Sequence, residues 1–170
     1  MKIEDTLTRA SGALDKNSIR YALIGGFALA AHRIVRATVD IDLLVDGTDK
    51  ALVKSSLEQA GFRVDCETTE VLHLSGPGQL DILFANRHHS QQMLARAKPI
   101  NNFPVPVVDA EDLIGLKIQA YKNAPEREFQ DKADIQSLMK TCKGLDQNRI
   151  DEYARIFDEL EFIQSLRTMP

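Results

Sequence analysis

The chain has 170 residues, enough for one domain or for one domain with a small appendage. Its net charge of −4, from 21 basic and 25 acidic residues, argues against a protein whose whole surface binds nucleic acid. This net charge is compatible with a local basic groove. No apolar run approaches the ~20 residues of a membrane span and the acidic start lacks signal-peptide features, so we expect a soluble, cytoplasmic protein without a membrane partner.

The first part of the chain alternates predicted helices and strands. In chain order, we predict a helix over 1–17, a strand over 19–24, a helix over 27–32, a strand over 38–45, a helix over 49–60, an extended segment over 62–74, a strand over 79–84, a helix over 86–97 and an edge strand over 105–108. The clearest strand is 38–45, in which Val39, Ile41 and Leu43 are expected to face the core.

The last third of the chain has a helical pattern throughout. Asp109 fits a helix N-cap, and further helices are predicted over about 127–141 and 146–166. Strands therefore dominate the first part and helices the second. We predict a mixed α/β (α+β) core over 1–108 with a C-terminal helical subdomain over 109–170.

Three aspartates lie inside predicted strands, where acidic residues are depleted. Asp40 and Asp42 are two residues apart and so are expected to share one face of a strand, while Asp81 alternates with Leu80 and Ile82 in another. Carboxylates this close repel each other unless a cation lies between them. Three of them on neighbouring strands would suit Mg²⁺ or Mn²⁺.

A structural explanation of these aspartates is also open. The first two could lie solvated at a strand end, or pair with Arg33, Arg36 or Arg63. Asp81 follows a turn and could cap it. Each aspartate alone is weak support for a metal site.

The segment Gly25-Gly26 separates the strand 19–24 from the helix that follows. Backbone amides at such a turn can approach a phosphate closely, because glycine has no side chain in the way. An ordinary strand–turn–helix junction would look the same. The combination of the glycine pair with the downstream Asp40-Ile41-Asp42 is what favours a phosphate-binding, metal-binding site.

This combination resembles the nucleotidyltransferase superfamily of the DNA polymerase β type. The matching segments are Ile24-Gly25-Gly26 and Asp40-Ile41-Asp42-Leu43, followed by a third-carboxylate strand at 80–84 and a helix start at 107–117. The sequence around these segments resembles the AbiEii-type branch, which includes toxin-like members of toxin–antitoxin systems. The resemblance implies a nucleotidyltransferase fold, with a mixed β-sheet flanked by helices.

The resemblance also implies roles for the residues that match. Gly25 and Gly26 would hold a nucleoside triphosphate. Asp40 and Asp42 would bind two metal ions, and Asp81 would bind the catalytic one and help to activate the acceptor hydroxyl.

Further residues are implied to contact the phosphates. Arg36 and Thr38, just before the aspartate pair, could brace the phosphates or the glycine turn. Lys117 matches a lysine that points toward the triphosphate in the family, although a surface lysine with a buried stem is the alternative. Asp131 could hydrogen-bond this lysine, cap a helix or be exposed to solvent.

The implied activity is transfer of a nucleoside monophosphate from a triphosphate such as ATP to a hydroxyl group, with Mg²⁺ or Mn²⁺. The acceptor could be RNA, a protein or a small molecule, and the protein could be the toxin of a toxin–antitoxin pair. A non-catalytic module, or one completed by a cognate antitoxin or by a second copy in a homodimer, is the alternative.

Overall fold

The computed structural model describes residues 3–101 and 103–168, which form a mixed α/β structure as the sequence predicts. Its elements are α1 (Ile3–Lys16), β1 (Tyr21–Ile24), α2 (Gly25–Ala31), β2 (Ile41–Asp46), α3 (Lys50–Gln59), β3 (Arg63–Glu67), β4 (Val71–Ser75), β5 (Leu80–Ala85), α4 (His88–Arg96), α5 (Ala110–Asn123), a short 3-10 helix (Pro125–Arg127), α6 (Glu128–Thr141), α7 (Gln147–Ile156) and α8 (Leu160–Thr168). Positions 1, 2, 102, 169 and 170, which the predicted first helix and the two predicted domains include, lie outside the described residues.

The five strands form one mixed sheet in the order β1-β2-β5-β4-β3. The central strands β2 and β5 are parallel, and the other neighbouring strands are antiparallel. In β4, Leu72 and Leu74 are buried, whereas the alternating residues Val71 and His73 are not. Since alternate residues of a strand point to opposite faces, the sheet has a core face and, at β4, an open face.

Asp46 fixes the C-terminal end of β2. Its carboxylate accepts hydrogen bonds from the guanidinium of Arg20 at 2.6 Å and from the hydroxyl of Thr48 at 2.6 Å. Burial alone would raise the pKa of Asp46, but the hydrogen bonds from Thr48, Arg20 and Gln91 outweigh it and lower the pKa to about 2. The negative charge at this position therefore stabilises the fold at neutral pH.

Three predicted strands are shorter than the sequence pattern indicates. β1 begins at Tyr21 rather than at residue 19. β2 begins at Ile41 rather than at residue 38, because its pairing with β1 ends where Ile24 meets Asp42 and its pairing with β5 begins where Leu80 meets Ile41. The prediction that Val39 faces the core is wrong, since Val39 is 76% exposed. The predicted edge strand over 105–108 is reduced to isolated bridges at Val107.

The predicted helix over 146–166 is divided into α7 and α8. Asp158 has a left-handed backbone conformation with φ of 57°, which a continuous right-handed helix does not allow.

The chain forms two compact units: Met1–Ala31 with Arg36–Val108, and His32–Val35 with Asp109–Pro170. The domain boundary predicted after residue 108 stays a prediction. None of the helices within 3–101 and 103–168 has the length and apolar character needed to cross a membrane.

Candidate active site

Asp42 and Asp81 lie side by side in the middle of the sheet. They are register partners on the parallel strands β2 and β5. Neighbouring strands are about 4.8 Å apart, and paired residues point to the same face. Both aspartates are partly exposed. The sheet thus presents two adjacent carboxylates to solvent. Because their negative charges repel each other, this arrangement suits a divalent cation that binds oxygen ligands.

Asp40 lies in the loop that precedes β2 and is partly exposed. It makes no side-chain hydrogen bond or ion pair with any described residue. No group of three His, Cys, Asp or Glu side chains in the described ranges is arranged to hold a metal ion. The register brings together Asp42 and Asp81, whose all-oxygen donor set fits Mg²⁺ or Mn²⁺, and the participation of Asp40 stays a prediction.

Gly25 leaves room for the side chain of Asp42. It is the first residue of α2 and has a left-handed backbone conformation with φ of 65°. A Cβ atom at this position would lie 2.8 Å from the Cβ atom of Asp42 and closer still to its carboxylate. Any other residue would be strained here and would displace Asp42.

Gly26 makes a similar close approach to Thr38. A Cβ atom at Gly26 would lie 2.7 Å from the Cβ atom of Thr38. The loop before β2 therefore packs directly on the glycine turn. The structure brings together five of the predicted site residues, Gly25, Gly26, Thr38, Asp42 and Asp81, although they are far apart in sequence. Arg36 is in the same loop and is half-buried, and its contact with phosphate stays a prediction.

Lys117 of α5 is buried in the helical unit, with only 4% of its surface exposed. Its Nζ atom donates to Asp131 at 2.8 Å and lies 2.7 Å from the carboxylate of Asp134, both on α6. The alternative of a surface lysine is therefore wrong. Of the three possibilities for Asp131, the structure shows the hydrogen bond to the lysine, and Arg127 also contacts Asp131 at 3.3 Å. The contact of Lys117 with a triphosphate stays a prediction.

His73 is a neighbour of the aspartate pair that the sequence reasoning missed. Its Nδ1 atom lies 2.7 Å from Oδ1 of Asp81, its register partner on β5. In the sequence, His73 lies between Leu72 and Leu74, an alternation that predicts a histidine on the opposite face of the strand from the two leucines. Only the antiparallel pairing of β4 with β5 shows which residue it contacts.

A family model described as aminoglycoside-2''-adenylyltransferase matches residues 6–138, most of the chain. The chain belongs to this family. The adenylyltransferase match spans every predicted site residue, from Gly25 to Lys117, and confirms the nucleotidyltransferase superfamily. It does not confirm the AbiEii-type branch. A search of curated proteins gives no match.

Solved structures of antibiotic-modifying enzymes share the fold of this adenylyltransferase-family chain. The solution structure of the antibiotic-resistance factor ANT(2'')-Ia has a TM-score of 0.66 and 19% identity, covering 94% of this chain and 92% of that one. The crystal structure of ANT(2'')-Ia in complex with adenylyl-2''-tobramycin has a TM-score of 0.66 and 20% identity, covering 92% and 98%. The lincosamide antibiotic adenylyltransferase LnuA, lincomycin-bound, has a TM-score of 0.59 and 16% identity, covering 84% and 99%.

We expect Gly25→Ala to impair nucleotidyl transfer. An alanine in the left-handed region costs about 1–2 kcal/mol, and a displacement of about 1 Å at a reacting centre can cost roughly 100-fold in rate. The matched control is Gly12→Ala in α1, where a Cβ atom would have no neighbour within 4 Å. Steady-state transfer rates and thermal unfolding of both variants test this, and wild-type activity of Gly25→Ala would contradict it.

Proposed function

We propose that this protein is a metal-dependent adenylyltransferase that transfers AMP from ATP to a hydroxyl group of a small, amine-bearing acceptor of the aminoglycoside type. The observation that carries the proposal is the pairing of Asp42 with Asp81 beside Gly25, in a chain of this family. Two neighbouring carboxylates repel each other, and a divalent cation with oxygen ligands would remove this repulsion.

The carboxylates of Asp42 and Asp81, joined by Asp40, would hold Mg²⁺ or Mn²⁺. When bound, the cation would supply Lewis-acid polarisation and a counter-charge for pyrophosphate. Gly25 would keep Asp42 in place by leaving its carboxylate room.

The reaction would form a bond between the acceptor hydroxyl oxygen and the α-phosphorus of ATP. The bond from that phosphorus to the oxygen bridging to the β-phosphate breaks, and pyrophosphate leaves. The carboxylate of Asp81 would orient the hydroxyl and take its proton. The triphosphate would be held by Gly25, Gly26, Arg36 and Thr38.

A small acceptor is favoured over RNA by the charge and the family. A chain with a net charge of −4 attracts a polycationic molecule and repels a polyanion. The family description names an aminoglycoside adenylyltransferase, and one structural neighbour was solved with adenylyl-2''-tobramycin. RNA and protein hydroxyls, and a toxin role with them, are the alternative outcomes of the test.

The acceptor class can be tested by mass spectrometry. The purified protein is incubated with ATP, GTP, CTP or UTP and Mg²⁺, together with tobramycin, lincomycin, transfer RNA or cell protein. We expect tobramycin to gain one adenylyl group with release of one pyrophosphate, and about a thousandfold less product with Asp42→Asn. A product on RNA or protein alone would overturn the small-molecule acceptor.

Nucleotide binding by the isolated chain separates a transferase from an incomplete module. ATP at 100 times its dissociation constant should stabilise the protein by about 2.7 kcal/mol in thermal unfolding. The shift should require Mg²⁺ or Mn²⁺. A shift without transfer to any acceptor would indicate a binding module. No shift with any nucleotide would contradict the proposed function of the isolated chain.

A further inference from the structure

A row of four side chains crosses the sheet at successive register positions. Asp42 of β2 pairs with Asp81 of β5, Asp81 with His73 of β4, and His73 with Cys66 of β3. Directly paired residues on neighbouring strands point to the same face. The row therefore extends the predicted site beyond Asp81 onto two strands to which the sequence analysis gives no role.

The contact between His73 and Asp81 lies on the open face of the sheet. The side chain of His73 is 47% exposed and that of Asp81 is 37% exposed. Leu72 and Leu74, on either side of His73 in sequence, are each 1% exposed and belong to the core face. Because exposed ion pairs contribute about 0–1 kcal/mol to stability, holding the fold together does not explain this contact.

The geometry of the contact fixes one oxygen of Asp81. The Nδ1 atom of His73 lies 2.7 Å from Oδ1, and a carboxylate can only accept, so Nδ1 carries the hydrogen. Among the described residues, His73 is the only side chain that hydrogen-bonds Asp81. One donor on Oδ1 restricts the rotation of the carboxylate and leaves Oδ2 for another partner.

We propose that His73 is a positioning residue for nucleotidyl transfer: by donating from Nδ1 to Oδ1, it orients the Asp81 carboxylate toward the metal and the acceptor hydroxyl. This inference rests on the proposed function, which gives Asp81 both roles. Hydrogen-bond partners that orient metal ligands typically contribute 10- to 100-fold in metal affinity or activity.

Two substitutions of His73 distinguish the effect of its hydrogen bond from the effect of its size. His73→Leu removes the donor, and we expect kcat to fall about 10- to 100-fold with little change in KM for ATP. His73→Asn keeps an N–H donor at the position of Nδ1 and should restore most of the lost rate. His88→Leu, at an exposed histidine of α4, is the matched control and should behave like wild type.

Two readouts do not depend on turnover. In ¹⁵N-histidine NMR at about pH 8.5, His73 should carry a proton on Nδ1. In the Asp81→Asn variant, His73 should no longer prefer the tautomer with the proton on Nδ1. Mn²⁺ titration of the nucleotide-free protein, followed by EPR, should show affinity about 10- to 100-fold weaker for His73→Leu and near wild type for His73→Asn.

The outcomes distinguish this inference from the proposed function. If wild type transfers adenylate while His73→Leu matches it in kcat and Mn²⁺ affinity, the inference is overturned and the function stands. If wild type transfers to no acceptor, the function fails, and the Mn²⁺ titration and the tautomer decide whether His73 positions Asp81. A proton on Nε2 in wild type would also overturn the inference.

Discussion

Replacing Asp42 with asparagine is expected to reduce nucleotidyl transfer about a thousandfold, because a metal ion supplies several kcal/mol of charge stabilisation and about 4 kcal/mol corresponds to that factor. The fold should persist. Asp42 faces Asp81 across the central strands, so removing one of two like charges relieves a repulsion. We therefore expect a melting temperature, measured without divalent ions, close to that of wild type.

Asp46→Asn is the matched control for this prediction, because it makes the same chemical change four residues later on β2. The pKa of Asp46 is lowered from 3.8 to about 2, so its charge contributes stability above about pH 3.8 that is lost as the pH falls toward 2. The variant should be less stable than wild type at pH 7, and the difference should shrink below pH 4. Its kcat should be unchanged.

The two variants thus have opposite expected effects. Asp42→Asn should lose activity and keep stability, whereas Asp46→Asn should lose stability and keep activity. Urea unfolding and initial transfer rates at a temperature below both transitions measure the two quantities. If Asp42→Asn has the activity of wild type, the proposed role of Asp42 in metal binding is contradicted.

The second large effect concerns Lys117. We expect Lys117→Met to lower the free energy of unfolding by about 3–5 kcal/mol, because it removes the shared partner of two buried carboxylates. Asp131 and Asp134 are 0% and 3% exposed, so water cannot compensate for the lost ammonium group. Arg127 stays beside Asp131, which keeps the loss within this range. Chemical denaturation followed by circular dichroism measures it.

Lys122→Met is the control on the same helix. Lys122 pairs with Glu159 at 2.5 Å but lies at the surface, so its loss should change the unfolding midpoint little. A triple variant, Lys117→Met with Asp131→Asn and Asp134→Asn, should recover much of the stability because it leaves no buried charge unpaired. An equal effect of Lys117→Met and Lys122→Met would contradict the buried ion cluster.

The sequence by itself determined the local features of this protein. The alternating pattern predicted most strands, whereas Gly25-Gly26, predicted to separate the strand from the helix, forms the first two residues of α2. The Asp-Ile-Asp motif predicted the superfamily, which the family match confirms. These features depend on residues close in sequence, where backbone preferences and side-chain alternation operate directly.

Only the tertiary structure decided which distant residues meet. The parallel register of β2 and β5 places Asp42 beside Asp81, and the antiparallel register of β4 and β5 places His73 on Asp81. Lys117 finds its buried partners on the next long helix. Strand register and helix packing are set by burial of whole faces and not by any short motif. For the same reason the sequence misjudged Val39, which follows the strand pattern but has no neighbouring strand to cover it.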